Sequence, residues 1–427
     1  MLVIPAETFG VKEDRLRAAI ISTGEEVLSG ETTDTNSAWL AESLCDQGVD
    51  VRCMLTAGDD LQGLCWALEQ ASSRAEVVVM TGGLGPTQDD RTAEAVARWS
   101  GVSLAVSDEA MKQIEERYRR RGREVNEANR KQALLPVGSL VLENRWGSAP
   151  GFSIQHDGVQ VFCFPGVPTE MRSMFSAHMV TRLTVEDPPI LVRIRTFGCA
   201  ESRLAEILDS VDLGSARLGF RAHIPEVQVK LLFPAGTKPS DREAVLGRVQ
   251  GVLSPWTYSV DGGDLAETVV SELAAAGETV SLAESCTAGM TSAWIADVPG
   301  SSAVLERGVV SYSNQAKLDL LGVLPETLAA NGAVSEAVAR EMAVGIKRSG
   351  GTTWGLSLTG IAGPGGGTPD KPVGTVHIAV AGPRGVHHQH AVIPGTRAQV
   401  RRRAAGAVLA LLLRARRGDS VLAETEA

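Results

Sequence analysis

Thr279-Val-Ser-Leu-Ala-Glu-Ser-Cys-Thr-Ala-Gly289 runs from a strand-like apolar stretch into a turn of small residues, with small-residue helical sequence beyond it. A strand that passes through such a turn into a helix is the repeating junction of an α/β fold. It also puts a hydroxyl, Ser285, at the strand end. About thirty residues on, Tyr312-Ser-Asn-Gln-Ala-Lys317 supplies an amine. No histidine lies in either segment or between them. A serine hydroxyl is a weak nucleophile near neutral pH and needs a base, so the pair reads as a Ser-Lys acyl-transfer site.

The 427 residues are enough for two to four domains at roughly 100–200 residues each. A hydrophobic content of 44% and a charged content of 22% fit a globular chain. The net charge of −10 argues against broad nucleic-acid affinity. The longest apolar run, Ala404–Leu413, is flanked by arginines and is half the roughly 20 residues a membrane span needs. It reads as a buried helix. The N-terminus lacks a basic start with an apolar core, so no secretory signal is expected. Six cysteines without metal-ligand spacing point to a reducing, cytoplasmic setting.

Three regions separate by pattern. In residues 17–177, strand candidates Ala18–Ser22, Val77–Thr81 and Val159–Phe164 alternate with helical periodicity at Asn36–Gly48, Leu61–Ser73 and Thr92–Ser100. That order predicts an α/β domain with a mainly parallel sheet. Residues 178–260 read as a small α+β unit, with alternating strands at Leu191–Thr196 and Glu226–Phe233. Turn-rich Pro255–Gly263 reads as a linker. Residues 264–417 are α/β again, with strands at Thr279–Ala283, Gly308–Tyr312, Trp354–Thr359 and Val373–Val380 and a closing helix Ala398–Arg416.

In the last region, Lys317 can act as a base if burial lowers its pKa, and Tyr312 can orient it or relay a proton. Helix N-terminal amides after Ser285 are expected to stabilise an oxyanion. The glycine-rich strand end Thr359-Gly-Ile-Ala-Gly-Pro-Gly-Gly-Gly-Thr368 allows close backbone approach to a ligand, and Thr359 is placed to hydrogen-bond the reacting group. Arg397 and Arg401 can pair with an anionic substrate. Competing readings make Ser285 a helix cap, Cys286 the nucleophile, and Lys317 a solvated surface residue. His387, His388 and His390 raise metal binding only weakly, with no carboxylate beside them in sequence.

These segments, with Gly308-Val-Val-Ser-Tyr-Ser-Asn314, Gly332-Ala-Val-Ser-Glu336 and Lys371-Pro-Val-Gly-Thr375, resemble the nicotinamide-nucleotide amidohydrolase domain of the competence/damage-inducible protein A family. The resemblance implies hydrolysis of nicotinamide mononucleotide to nicotinate mononucleotide and ammonia, without a cofactor. It makes Ser285 the nucleophile, Lys317 the base with Tyr312 beside it, and Thr359 a binder of the amide. Cys286, Thr287, Gly289, Gly360, Gly363, Gly365, Gly366, Arg397 and Arg401 are the associated substrate-binding candidates. Family members usually carry two glycines after the threonine of the first motif; Ala288 stands in the first of them, where a positive φ is costly. Thr396 replaces a more usual acidic residue before Arg397.

Far upstream, Thr81-Gly-Gly-Leu-Gly-Pro-Thr-Gln-Asp-Asp90 follows a strand. Gly82, Gly83 and Gly85 let amides face a phosphate. Asp89 and Asp90 would repel one unless a divalent ion lies between, or else they favour the N-terminus of the helix at Thr92. Thr23, Glu26, Asn36, Asp59 and Gly166 add polar groups or close backbone at other loop ends. This region resembles the molybdopterin-binding superfamily in its competence/damage-inducible version, on Ser22-Thr-Gly-Glu-Glu26, Thr81–Thr87 with Asp89-Asp90, Asn144 with Gly147, and Pro165-Gly-Val-Pro-Thr-Glu-Met171. The resemblance implies an ADP-ribose pyrophosphatase with a divalent ion (magnesium, manganese or cobalt) on Asp89, Asp90 and Asp59. The middle region is similar to the family's KH-like linker domain, though it has no Gly-X-X-Gly clamp for RNA. The expected partners are pyridine nucleotides, ADP-ribose and a second copy of the chain, with no membrane and no nucleic acid. The rival functions are a pterin-binding module of molybdenum cofactor synthesis and a non-catalytic adaptor in DNA uptake or damage response.

Overall fold

A computed structural model describes residues 16–180, 182–183 and 188–419. The reading of the extreme N-terminus as no secretory signal concerns residues outside that set. Two compact units are present, the first ending at Ile190 and the second starting at Leu191.

In the first unit six strands form a sheet in the order Asp50–Ala57, Arg17–Thr23, Val77–Thr81, Val159–Phe164, Gly151–His156, Leu140–Leu142, and Leu104–Val106 pairs antiparallel with Leu134–Pro136 in a separate two-stranded sheet. In the six-stranded sheet the first three pairings are parallel and the last two antiparallel. Period-two alternation explains why the central strands are apolar throughout. Ala19, Ile21, Val78 and Met80 face one core, while Ala18, Ile20, Val77 and Val79 face the other. A sheet covered on both faces has no polar side to show. Edge strand Asp50–Ala57 alternates exposed and half-buried residues and carries Asp50 and Arg52, which hides it from a reading that seeks apolar runs. Asp34 and Asp60 cap the helices that follow them, accepting from the amides of Ser37 and Gly63 at 2.8 Å each.

The unit's end lies beyond residue 177, where the sequence pattern divides. Helix Pro168–Met174 and its continuation bury Met171, Met174, Phe175 and Met179 in the first unit's core.

The second unit holds two sheets. The smaller runs in the order Arg217–His223, Glu226–Phe233, Ile190–Phe197, Thr257–Val260. The segment read as a linker therefore contains a strand, Thr257–Val260, paired antiparallel with Ile190–Phe197. Its Tyr258 is buried, and with Phe197 it joins the core built around the C-terminal helix. That shared core is why the middle and C-terminal regions form one unit.

The larger sheet runs in the order Leu305–Val310, Val280–Glu284, Trp354–Gly360, Thr375–Gly382, Gly385–Val392. Its first two pairings are parallel and its last two antiparallel, so this sheet is mixed where a mainly parallel one is expected. Helix Glu336–Gly350 packs Ala339 and Ala343 against Ala379 and Ala381 of the sheet. Helix Arg397–Arg417 buries every residue from Ala404 to Leu413. A helix apolar all round has to be enclosed, and here protein encloses it. Among the described residues no helix is long and apolar enough to cross a membrane.

The histidines singled out in sequence lie on strand Gly385–Val392. His388 and His390 stack on His377, and His388 bonds it ring to ring at 3.0 Å. Glu336 approaches His388 at 3.6 Å. Burial, then the charges of His390 and His388, push the His377 pKa down to about 4. His388 is lowered as well, by burial first. A folded-state pKa below the unfolded value of about 6.5 means that the neutral ring is the stable form. This contribution is complete above about pH 6.5 and is lost as pH falls toward about 4. The urea midpoint of wild type is expected to fall on acidification from about pH 7 to about pH 5, and His377→Phe to lose less over that interval. Equal losses would refute the assignment.

Candidate active site

The strand Val280–Glu284 delivers Ser285 to the C-terminal end of the sheet. Helix Asn314–Leu321, capped by the Ser313 hydroxyl, brings Lys317 to meet it. Lys317 Nζ lies 3.1 Å from Ser285 Oγ. It also donates to the carbonyls of Ser311 at 2.8 Å and Tyr312 at 3.4 Å. Lys317 is 1% exposed. Burial, opposed only weakly by the Cys286 thiol, pulls its pKa down from the ordinary lysine range. This rules out a solvated surface lysine.

The other competing readings also fail. Ser285 is not a cap: helix Met290–Ala296 starts after Gly289 without a side-chain cap. Cys286 is buried, and that burial pushes its thiol up to about 11, so it is not a ready thiolate.

One cleft of about 200 Å³ is lined by Ser285, Cys286, Tyr312, Lys317, Thr359, Gly360 and Arg397, together with Asn314, Ala333, Val334 and Ala362. The Thr359 hydroxyl donates to the Ala333 carbonyl at 2.7 Å. Its proton is therefore committed and its lone pairs remain for a donor. Arg397 reaches from the start of the last helix to the Gly363 carbonyl at 2.9 Å and the Tyr312 hydroxyl at 3.0 Å. Thr396, in the position of the more usual acid, caps that helix in a reciprocal box with Gln399.

Several expectations change. The strand ends at Val310, so the Tyr312 ring swings out, 57% exposed, to Arg397. It is the Tyr312 carbonyl, not the phenol, that touches the lysine. Arg401 turns to the Thr287 carbonyl at 2.7 Å and ties the last helix to the nucleophile turn. Thr287, Gly289, Gly363, Gly365, Gly366 and Arg401 lie outside the cleft lining. Some amides near the turn are committed: that of Ser285 donates to Leu358, that of Ala288 to Ser285, and those of Thr291 and Ser292 to the Glu284 carboxylate.

Sequence reasoning missed Glu284, Ala333 and Lys371. Lys371 donates to the carbonyls of Asn331 and Val334 at 2.8 Å each and pins the cleft wall. A charged residue closing an apolar strand was the available signal for Glu284. The contacts of Ala333 and Lys371 cross 26 to 40 residues of chain and leave no local trace.

In the first unit, strand ends Thr23, Thr81 and Phe164 converge. Asn36 donates to the Gly166 carbonyl at 2.7 Å and to Thr81 Oγ1 at 3.2 Å, leaving its own Oδ1 buried without a partner. The Thr23 hydroxyl points to the Thr81 carbonyl. Gly82 lies against Thr23 and Gly83 against Thr92, while a Cβ on Gly85 would meet the Asp90 carboxylate at 2.5 Å. Asp90 accepts from the Thr87 amide and hydroxyl, and Arg91 rather than either aspartate occupies the cap of the next helix. Asp59 accepts from the Glu25 amide at 3.2 Å. Burial first, and then the charges of Glu26, Asp89 and Asp90, raise its pKa. Among the described residues no three His, Cys, Asp or Glu side chains converge as a metal cage. The three-aspartate metal site expected at Asp59, Asp89 and Asp90 is therefore not formed by these side chains alone.

Residues 263–415 match the CinA C-terminal domain family, and residues 19–185 match the family described as a probable molybdopterin binding domain. A CinA-like protein of Anaeromyxobacter sp. (strain Fw109-5) is 43% identical over 403 residues, covering 93% of this chain and 98% of that protein. The chain belongs to the CinA family. A second relative of this CinA-family chain is named nicotinamide-nucleotide amidohydrolase PncC, from Shewanella oneidensis. It is 38% identical over 385 residues, covering 89% of this chain and 91% of its own. The crystal structure of a competence/damage inducible protein from Agrobacterium tumefaciens is 40% identical and covers 36% of this chain and 98% of its own, with a TM-score of 0.35.

Where the family usually has glycine, this member holds Ala288 at φ 49°. A left-handed non-glycine residue costs about 1–2 kcal/mol, partly offset by alanine's smaller unfolded-state entropy. Ala288→Gly is therefore expected to stabilise the chain by about 0.5–1 kcal/mol, raising Tm by about 1–4 °C. An unchanged or lower Tm would show that the turn relaxes around alanine.

Proposed function

We propose that the C-terminal domain hydrolyses nicotinamide mononucleotide to nicotinate mononucleotide and ammonia. The observation that carries this is the 3.1 Å contact between the Lys317 amine and the Ser285 hydroxyl inside one cleft. The name of the Shewanella oneidensis relative supports the substrate.

Burial favours the neutral amine, which takes the Ser285 proton as Oγ attacks the carboxamide carbon. Lys317, now an ammonium steadied by the Ser311 and Tyr312 carbonyls, returns that proton to the departing nitrogen. Ammonia leaves and an ester to Ser285 remains. Water, deprotonated by the same amine, cleaves the ester and restores the serine. The Thr359 oxygen accepts a hydrogen bond from the carboxamide NH2, and Arg397 gives the cleft mouth a cation for the anionic substrate.

Ser285→Ala is expected to lower ammonia release by at least about 1000-fold, and Lys317→Arg by a similar factor because arginine does not deprotonate. In wild type, kcat/KM should rise with pH through the lowered lysine pKa and level off below the ordinary lysine range near 10.4. Undiminished ammonia release by Ser285→Ala refutes the nucleophile.

For the first unit the crowded carboxylates and the orphaned Asn36 oxygen favour a second reading, hydrolysis of the ADP-ribose diphosphate bond. A divalent ion there would be held by no more than two of Asp59, Asp89 and Asp90, with water and the diphosphate completing its shell, and would supply charge stabilisation to the phosphates. The amides of Gly83 and Gly85 would face the diphosphate, that of Gly82 being bonded to the Phe164 carbonyl, while the Asn36 oxygen would accept from a ribose hydroxyl. Chelation and Asp89→Asn are each expected to reduce ADP-ribose cleavage by at least about 100-fold while leaving ammonia release intact. Tight molybdopterin binding with no ADP-ribose turnover would decide for the pterin reading.

A further inference from the structure

Glu284 is fully buried at the end of its strand, one residue before the nucleophile. Its Oε2 accepts the Thr291 amide at 3.1 Å, and its Oε1 accepts the Ser292 amide at 2.8 Å and the Ser292 hydroxyl at 2.7 Å. Burying a carboxylate is unfavourable unless donors replace its water, and here three donors from one helical turn do so. A short helix could be capped by a neutral serine or threonine without that desolvation. The carboxylate does something a hydroxyl cannot. It reaches across the turn and binds two amides and a hydroxyl at once.

The main chain of the same residue is a second anchor. The Glu284 carbonyl accepts the Ser311 amide at 2.8 Å, and the Ser311 carbonyl holds Lys317 Nζ at 2.8 Å. The next amide, that of Ser285, donates to Leu358 at 2.9 Å. Residues 285–289 thus form a loop tied at both ends through position 284, with the left-handed Ala288 inside it. Backbone and side chain of one residue connect the nucleophile's turn, the lysine's carbonyl cradle and the helix behind them.

We infer that Glu284 is the positioning residue of the Ser285 site, clamping the nucleophile turn between its strand and helix Met290–Ala296 so that the hydroxyl stays within reach of Lys317. The inference rests on the hydrolase reading for its substrate but not for its geometry. Glu284 takes no part in proton transfer. It also raises the proton affinity of the Cys286 thiol, secondarily to burial, and so leaves Ser285 the activated neighbour.

The test uses full-length Glu284→Gln and Ser292→Ala. Folded fraction is followed by melting, kcat and KM by ammonia release from nicotinamide mononucleotide, and Ser285 reactivity by intact-mass labelling with a fluorophosphonate. A displaced nucleophile loses rate rather than binding. Glu284→Gln is therefore expected to lower kcat and labelling by at least about tenfold with KM within about threefold, and Ser292→Ala by about two- to fivefold. Ser292→Ala leaves the buried charge and both amide bonds in place, so it carries the test should Glu284→Gln not fold. Unchanged kcat and labelling in folded variants overturn the inference. Slower labelling of Ser285 in the variants, with no ammonia released even by wild type, sustains the positioning role and sinks the substrate. Normal ammonia release by both variants does the reverse.

Discussion

The burial of the Lys317 amine against the Ser285 hydroxyl is the constraint on which the chemistry proposed for the C-terminal domain depends. A lysine in water is protonated and useless as a base. At position 317 it has two backbone carbonyls, a hydroxyl and little solvent. Desolvation disfavours the ammonium, while the carbonyls keep it from becoming prohibitively costly once it takes the serine's proton. Both halves are needed, because a base that could not hold a proton could not pass it on to the leaving nitrogen.

The surrounding fold serves that contact. The two parallel strands flanking Val280–Glu284 bring residues 311 and 358 level with the nucleophile. The last helix reaches back over the cleft through Arg397 and Arg401. That helix is itself held by the most extensive core among the described residues, to which the smaller sheet contributes Phe197 and Tyr258. The middle region, which has no chemistry of its own in sequence, therefore helps to support the helix that closes the site.

Legibility followed locality. Strands Val77–Thr81, Val159–Phe164 and Glu226–Phe233 are visible in the sequence to the residue, because burial on both faces or strict alternation is written in adjacent letters. Thr257–Val260 was hidden, because turn residues surround it and its pairing partner lies about 60 residues earlier. The same holds within the site. Ser285 and Lys317 stand in recognisable motifs. Tyr312 was misplaced in function because its carbonyl and ring point to different partners, a matter of where a strand stops. Asp34 and Asp60 lie beside the candidates Asn36 and Asp59 in sequence, but they cap helices.

The sequence by itself determined the α/β class, the candidate pairing of Ser285 with Lys317, and membership in the CinA family, since each rests on residue type at short spacing. The tertiary structure alone decided the protonation tendency of that amine, the burial of the Cys286 thiol, the bond of Arg401 to the Thr287 carbonyl and the donors around the buried Glu284 carboxylate. Those depend on desolvation and on bonds between segments far apart in the chain. Neither has a one-dimensional signature, because dielectric and distance exist only after the chain has closed on itself.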